Sequence, residues 1–230
     1  MKYLFFGIIL LTSLISKAQE EAPSDTIPFE IRKQAYIYML AQKYNDPAVT
    51  RMALYNLIAM NPGSPALLDS LAFHYLNYQQ YASAALSAQD AMSLNPNDMY
   101  ATEIAAVAFE NLGVRQRAIN NYEKLYLVNN DLGTLYKIAF LQYEVKNSEE
   151  ALTNADIIIN SSKADNLKLI FPVGQNGSQE ISLKACAVRL KGMVEQDRGN
   201  VSLAKELYQK TLEMEPSFEV VQQQLAEMDK

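Results

Sequence analysis

The chain repeats itself with a period of 34 residues, and no other feature of the sequence limits its fold as strongly. Two Asn-Pro dipeptides, at Asn61 and Asn95, stand 34 residues apart, and Asn129 follows 34 residues later in the same context. An alanine marks nearly the same spacing independently, at Ala84, Ala118 and Ala151. Two markers that share one period indicate stacked copies of one supersecondary unit.

The repeated units carry a recognisable residue pattern, which is clearest in the second one. The units run over 31–64, 65–98, 99–131, 132–165 and 185–218. In the second, the pattern is formed by Leu68, Leu71, Ala72, Tyr75, Tyr81, Ala84, Ala91 and Pro96. Period and pattern resemble the tetratricopeptide repeat (TPR), whose unit is a helix-turn-helix. This resemblance implies an all-α fold, a right-handed superhelical TPR solenoid of about five repeats over residues 30–230.

Small residues recur where the two helices of such a unit would cross. In the first helix these are Ala72, Ala106, Ala139 and Gly192, and in the second Ala84, Ala118, Ala151 and Ala204. A larger side chain at a close crossing overpacks the contact and costs roughly 1–3 kcal/mol. The first repeat departs from this pattern, because Tyr38 and Thr50 replace its small residues. Terminal repeats are often atypical because they cap the stack.

Two segments fall outside the repeats. Residues 166–184 contain the apolar run LKLIFPV and then Asn176-Gly177, which favours a two-residue hairpin turn. We predict a β-hairpin-like insertion, or an ordered loop, before the last repeat; it either forms a functional projection or passively covers the core of that repeat. Residues 217–229 predict a C-terminal capping helix whose inner stripe is Phe218, Val221 and Leu225.

The N-terminus predicts export. Residues 1–18 combine Lys2, an apolar run from Tyr3 to Ile15 and a small-x-small end, which is typical of a secretory signal peptide. Residues 19–29 are polar and acidic, and we interpret them as a disordered linker. The single cysteine, Cys186, cannot form an internal disulfide. We expect a periplasmic, cell-surface or secreted protein of a Gram-negative bacterium, without stable membrane insertion after signal cleavage.

The sequence offers little for catalysis. The one histidine, His74, lies between Phe73 and Tyr75, away from other metal ligands, and Cys186 lies in an apolar helical stretch. We predict no catalytic residues, no metal, no cofactor and no enzymatic activity. A net charge of −6 repels phosphate backbones, so nucleic acid is not an expected partner.

The TPR resemblance implies a concave groove lined mainly by the first helix of each repeat. The residues at its groove-facing places are Asp69, Phe73, Leu76, Asn77, Tyr100, Glu103, Val107, Glu110, Tyr136, Phe140 and Tyr143, with Arg32, Met39, Arg189 and Met193 on the outer repeats. Aromatic residues surrounded by polar ones are typical of peptide-binding hot spots. An acidic rim favours a protein or peptide partner with basic and apolar residues. The family's lysine–asparagine clamp for a C-terminal carboxylate is absent, because its places hold Ala35, Asp69, Glu103 and Tyr136, and we therefore do not predict carboxylate capture.

Three functions follow from these features. The first is a protein–protein interaction adaptor or scaffold in the bacterial envelope. The second is a glycan- or ligand-binding component of an envelope uptake system, which 14 tyrosines favour and the absence of tryptophan disfavours. The third is an enzyme that uses carboxylates alone.

Overall fold

A computed structural model describes residues 27–174 and 177–228 of the chain. The predicted signal peptide and residues 19–26 of the predicted linker lie outside this part. The described residues form two compact units, divided between Leu112 and Gly113. We refer to them as unit 1, which ends at Leu112, and unit 2, which begins at Gly113. No helix in the described ranges combines the length and the apolar character needed to cross a bilayer.

Unit 1 consists of five helices in its described residues, and neighbouring helices pack against each other. They are α1 (Phe29–Lys43), α2 (Pro47–Met60), α3 (Pro65–Asn77), α4 (Tyr81–Leu94) and α5 (Met99–Asn111). Two prolines start helices where an N–H would have no partner, Pro47 in α2 and Pro65 in α3. The Asp98 carboxylate caps α5 by accepting hydrogen bonds from the backbone N–H groups of Tyr100 and Ala101.

Unit 2 continues with helices and contains one two-stranded antiparallel sheet in its described residues. Its elements are α6 (Arg115–Asn129), α7 (Leu132–Glu144), α8 (Ser148–Ile159), β1 (Lys168–Val173), β2 (Gly177–Ser182), α9 (Leu183–Asp197), α10 (Val201–Met214) and α11 (Glu219–Met228). The predicted all-α class with a hairpin-like insertion and a C-terminal capping helix is confirmed.

The turn inside each repeat has a fixed backbone signature. The second residue after the first helix has a positive φ in every described repeat: Asn45, Gln79, Gly113, Lys146 and Gly199, with φ between 52° and 80°. A left-handed residue at this place ends a helix by satisfying its last carbonyl groups. Three of the five are not glycine, so the repeats place side chains in a conformation that L-residues rarely adopt.

The small residues lie in the cores of the two units. The alanines Ala72, Ala84, Ala106, Ala118, Ala139, Ala151 and Ala204 are all completely buried. Gly192 leaves no room for a methyl group, because a Cβ there would stand 2.7 Å from Cε1 of the buried Tyr208. In the atypical first repeat, Thr50 is also buried, and its hydroxyl donates to the Asp46 carbonyl. Its hydrogen bond explains how a polar residue occupies a place that otherwise holds alanine.

The insertion packs along unit 2. Its register runs from Lys168 opposite Ser182 to Val173 opposite Gly177, so three residues separate the strands instead of the two that Asn176-Gly177 indicated. Gly177 belongs to β2, where a Cβ would stand 2.8 Å from the Val173 carbonyl oxygen. Burial alternates along β1, and the outer face carries Ile170, which is 74% exposed.

The capping helix α11 packs on α10. Phe218, just before α11, and Val221, within it, are completely buried. The Phe171 ring of the hairpin meets Phe218 edge to face, with 4.8 Å between the ring centroids. The inner face of the hairpin therefore covers the last repeat, as the passive interpretation of the insertion predicts, while its outer face stays open.

Candidate partner-binding site

Most of the predicted groove residues of unit 1 lie on α3 and α5, which contact each other. Asp69, Phe73, Leu76 and Asn77 lie on α3, and Tyr100, Glu103, Val107 and Glu110 lie on α5. The structure brings Phe73 and Tyr100 together with tilted rings whose centroids are 6.0 Å apart. Both residues are half-buried, so each ring keeps part of its surface open to solvent.

Two carboxyl groups meet beside this aromatic pair. Burial raises the pKa of Asp69 to about 7, and repulsion by Asp98 and a hydrogen bond with it add to the shift. Two carboxylates that share one place cannot easily both ionise, so one of them retains a proton. Oδ1 of Asp69 is shielded from solvent and has no hydrogen-bond partner. Asp98 is held by its cap on α5 and by the side chain of Asn95.

Tyr38 is a member of this cluster that the sequence did not assign to it. Burial raises the pKa of Tyr100, and the charges of Asp69, Glu103 and Tyr38 raise it further. Tyr38 lies on α1, half-buried, with its hydroxyl accepting from Gln42. Its replacement of a small residue in the first repeat was the signal that could have found it.

In unit 2, the three predicted groove residues form a row on α7. The ring centroids are 6.3 Å apart for Tyr136 and Phe140, and 6.1 Å apart for Phe140 and Tyr143. Tyr136 is only 8% exposed, which leaves Phe140 and Tyr143 as the rings with open surface. Burial raises the pKa of Tyr143, and the carboxylate of Asp197, which accepts a hydrogen bond from it, raises it further.

Arg189 on α9 lies next to this row. It interacts with the hydroxyl of Tyr136, and its Nε donates to the Oε1 atom of Gln224 at 2.8 Å. The guanidinium also lies 6.0 Å from the Phe171 centroid and 5.7 Å from the Phe218 centroid. The sequence placed Arg189 at the edge of the groove, but it gave no sign that the hairpin and the capping helix would surround it.

The single histidine and the single cysteine, two residue types that enzymes often use in catalysis, are both buried in this structure. His74 is 5% exposed and lies 4.9 Å from the Tyr78 ring, and its burial lowers its pKa, with Arg51 adding to the effect. Burial raises the pKa of Cys186 to about 12, which makes its thiol a poor nucleophile. Within residues 27–174 and 177–228, no group of three His, Cys, Asp or Glu side chains could hold a metal ion.

Solved structures resemble this chain over most of its length, although no protein-family model and no curated protein matches it. YrrB, described as a TPR protein with an unusual peptide-binding site, superposes with a TM-score of 0.65 at 13% identity, over 93% of this chain and 96% of YrrB. A tetratricopeptide repeat protein from Parabacteroides merdae gives 0.63 at 17% identity, over 87% of this chain and 73% of that protein. MamA gives 0.62 at 16% identity, over 81% of this chain and 92% of MamA.

This chain has a tetratricopeptide-repeat fold. In this TPR chain, the helices that carry the two aromatic clusters are the first helices of their repeats, where the family resemblance placed a groove. The chemistry differs between the clusters. The unit 1 cluster presents carboxyl groups and aromatic rings, whereas the unit 2 cluster presents aromatic rings and a guanidinium.

Proposed function

We propose that this TPR chain is an adaptor or scaffold that holds a segment of another protein against the first helices of its repeats. One observation carries the proposal: the half-open ring pair of Phe73 and Tyr100 lies beside the carboxyl groups of Asp69 and Asp98. Such a surface offers apolar contact and a cation acceptor together. A segment with a lysine or arginine near an apolar side chain fits it, because a charge-assisted hydrogen bond is stronger than a neutral one.

We further propose that the adaptor works in the bacterial envelope. The support is the signal-peptide pattern of residues 1–18 and the presence of a single, buried cysteine in the chain. A fold without disulfides withstands export when its core is large enough, and the buried alanines of both units are part of such a core.

Site-specific photo-crosslinking in the native envelope tests both statements. A photoreactive phenylalanine analogue replaces Phe73 in unit 1, Phe140 in unit 2 and Ile170 on the outer face of the hairpin. Matched probes replace Leu86 and Leu127, which are 64% and 79% exposed on the second helices α4 and α6. Defined protein adducts at Phe73 or Phe140, without adducts at Leu86 and Leu127, support capture by the first helices.

Other crosslinking patterns would move the proposed interface or contradict it. Adducts at Ile170 alone would move the interface to the hairpin, and adducts at all five positions would indicate nonspecific contact. Absence of adducts at every probe would overturn the adaptor proposal, and glycan binding would then be measured by isothermal titration with oligosaccharides. The burial of Tyr136 weighs against that alternative, because sugar stacking needs an open ring face.

A further inference from the structure

Arg189 differs from other half-buried cations of unit 2 because no carboxylate pairs with it. Three of those cations form ion pairs: Arg115 lies 2.5 Å from Glu144, Lys184 lies 3.1 Å from Asp165, and Lys191 lies 2.6 Å from Asp156. Among the described residues, no carboxylate oxygen lies within 4.0 Å of the Arg189 guanidinium; its hydrogen-bond partners are Tyr136 and Gln224. A half-buried charge without a counter-charge costs free energy, which makes it an exception that needs a reason.

Two acids act electrostatically on the same neighbours as Arg189, and both are engaged with other groups. Asp197 accepts from Lys146 at 2.6 Å and interacts with Tyr143. Glu215 lies 3.2 Å from Lys168 and accepts from the backbone N–H of Ser182 at 2.9 Å. Each of these carboxylates is balanced by its own lysine, so the positive charge of Arg189 is not neutralised.

The surroundings hold the Arg189 guanidinium in place without using all of its donors. Gln224 accepts from Nε, and its own Nε2 donates to the Tyr208 hydroxyl at 3.3 Å, which fixes the amide orientation. Phe171 and Phe218 flank the guanidinium from the hairpin and from the start of the capping helix. A guanidinium presents several N–H groups as a rigid fork that matches a carboxylate with two parallel hydrogen bonds.

We propose that Arg189 is the receptor for a carboxylate of a bound peptide segment, in a site completed by Tyr136, Phe171, Phe218 and Gln224. The neighbouring rings of Phe140 and Tyr143 take an apolar side chain beside that carboxylate. The insertion and the capping helix thus build one wall of a binding site as well as covering the last repeat. The inference rests on the proposed function for the identity of the ligand as a peptide.

The probes are three short peptides and the full chain. Ac-Phe-Glu-Phe-NH2 carries a side-chain carboxylate, Ac-Phe-Gln-Phe-NH2 is its neutral isostere, and Ac-Phe-Gln-Phe-OH carries a C-terminal carboxylate. The readout is the Nε–H signal of Arg189 in NMR spectra, assigned by its loss in Arg189→Lys. We expect this signal to shift saturably with a carboxylate probe, and with an affinity at least about tenfold above that of the neutral isostere. The carboxylate probe that gives the larger shift shows whether Arg189 prefers a side-chain carboxylate or a C-terminal carboxylate.

Variants separate binding from folding. Because these variants lack the Arg189 Nε–H signal, isothermal titration calorimetry measures their affinities for the same peptides. Arg189→Gln should remove the preference for the carboxylate, and Arg189→Lys should keep part of it because it retains the charge but loses the fork. Lys191→Gln, on the same helix but already paired with Asp156, should leave the preference unchanged. Equal affinity for the charged and neutral probes, or no saturable shift with either carboxylate, overturns the proposal. A stronger response to glucuronate than to either peptide overturns the assignment to a peptide.

These outcomes are independent of the crosslinking result. Adducts at Phe73 or Phe140 with no carboxylate preference at Arg189 would leave the adaptor proposal standing and remove only this site. A carboxylate preference without any protein adduct would keep the site and remove the adaptor.

Discussion

Unit 1 and unit 2 are built from the same helical repeat, but they distribute charge in different ways. In unit 1, Lys33 and Glu30 form an ion pair on the surface of α1, while Asp69 and Asp98 repel each other next to aromatic rings. Unit 2 forms many ion pairs between elements, such as Lys191–Asp156 and Arg198–Glu149. Its exception is a cation, Arg189. In the described part of each unit, a half-buried group without an opposite charge lies on a first helix beside aromatic side chains: Asp69 on α3 and Arg189 on α9.

The comparison shows which residues of a repeat protein are informative about its partner. Buried alanines are nearly identical in all repeats because helix crossings demand small side chains, so they carry the fold and little else. An uncompensated charge costs stability, and no helix crossing requires one. We therefore infer binding chemistry from the residues that depart from local charge balance, with opposite signs in the two units.

The largest effect is expected at the tightest helix crossing of unit 2. Gly192→Ala would place a methyl carbon 2.7 Å from the Tyr208 ring, although alanine is the native residue at Ala72 and Ala106 in unit 1. We expect a loss of about 3 kcal/mol in the free energy of unfolding, measured by urea denaturation. Tyr208→Leu in the same chain should recover part of this loss through a favourable coupling in a double-mutant cycle. If Gly192→Ala were as stable as the wild type, the helix crossing in unit 2 would accept alanine as the crossings of unit 1 do, and the prediction would be wrong.

The second prediction concerns the hairpin, which has no counterpart in the described residues of unit 1. Phe171 and Ile170 are adjacent in β1 but point to opposite faces, and only Phe171 packs on Phe218. Phe171→Ala should cost about 2 kcal/mol in thermal or urea unfolding, because it removes a packed ring. Ile170→Ala should change the stability by less than about 0.5 kcal/mol, since its side chain is exposed. Similar effects of the two changes would contradict the packing of the hairpin on unit 2.

The repeat fold was predictable because its signals are local and periodic. The alanines and the Asn-Pro punctuation fix where helices cross and end, and both follow from short-range sterics. The hairpin was predictable from a glycine and alternating residues, but its loop length was not. Gly177 was assigned to the turn, whereas the structure needs it inside β2, where only glycine fits against the Val173 carbonyl.

The chemistry of the candidate site was less predictable, because it depends on contacts between distant residues. The repeat pattern predicts Asp69 and Arg189 as groove residues of opposite charge, but it does not indicate that Asp98 lies beside Asp69. Arg189 acquires its surroundings from Phe171, Phe218 and Gln224, which lie 18 to 35 residues away along the chain. Residue spacing within one helix carries no information about such neighbours.

The third prediction uses the carboxyl pair of unit 1. The pKa of Asp69 is raised from 3.8 to about 7, so between these values the folded chain holds a proton that the unfolded chain releases. The contribution of this group to stability is therefore greatest below pH 3.8 and is lost as the pH rises through about 7. Asp69→Asn cannot ionise, and its amide can donate to Asp98. We expect it to gain roughly 1–2 kcal/mol over the wild type at pH 8, after allowance for solvent screening, and little at pH 4.

The measurement is urea unfolding of both chains at pH 4, 6 and 8. Asp90→Asn, which changes an exposed acid on α4 of the same unit, serves as the matched control and should not reproduce the trend. A difference between Asp69→Asn and wild type that does not change with pH would contradict the raised pKa of Asp69. In that case ionisation of Asp69 would not destabilise unit 1, and the two units would not differ in this respect.

The smallest effect is expected at the turns between paired helices, where the two units use different residues for one backbone conformation. Gln79 in unit 1 has φ of 57°, and Gly199 in unit 2 has φ of 80°. Gln79→Gly should therefore stabilise the chain by about 1 kcal/mol, because glycine adopts this conformation without a Cβ clash. Gly199→Ala should destabilise it by a similar amount through backbone strain alone, since open space surrounds the position of its Cβ.

Lys146 separates the backbone effect from a side-chain effect at the same kind of turn. Its φ of 64° predicts a gain for Lys146→Gly, but the lysine also lies 2.6 Å from Asp197 and 5.4 Å from the Tyr143 centroid. The gain should be smaller than for Gln79→Gly, as judged from unfolding midpoints of the two variants. A larger gain at Lys146 would mean that its pairing with Asp197 contributes nothing to the stability of unit 2. That result would weaken the contrast between the units, which depends on the ion pairs of unit 2.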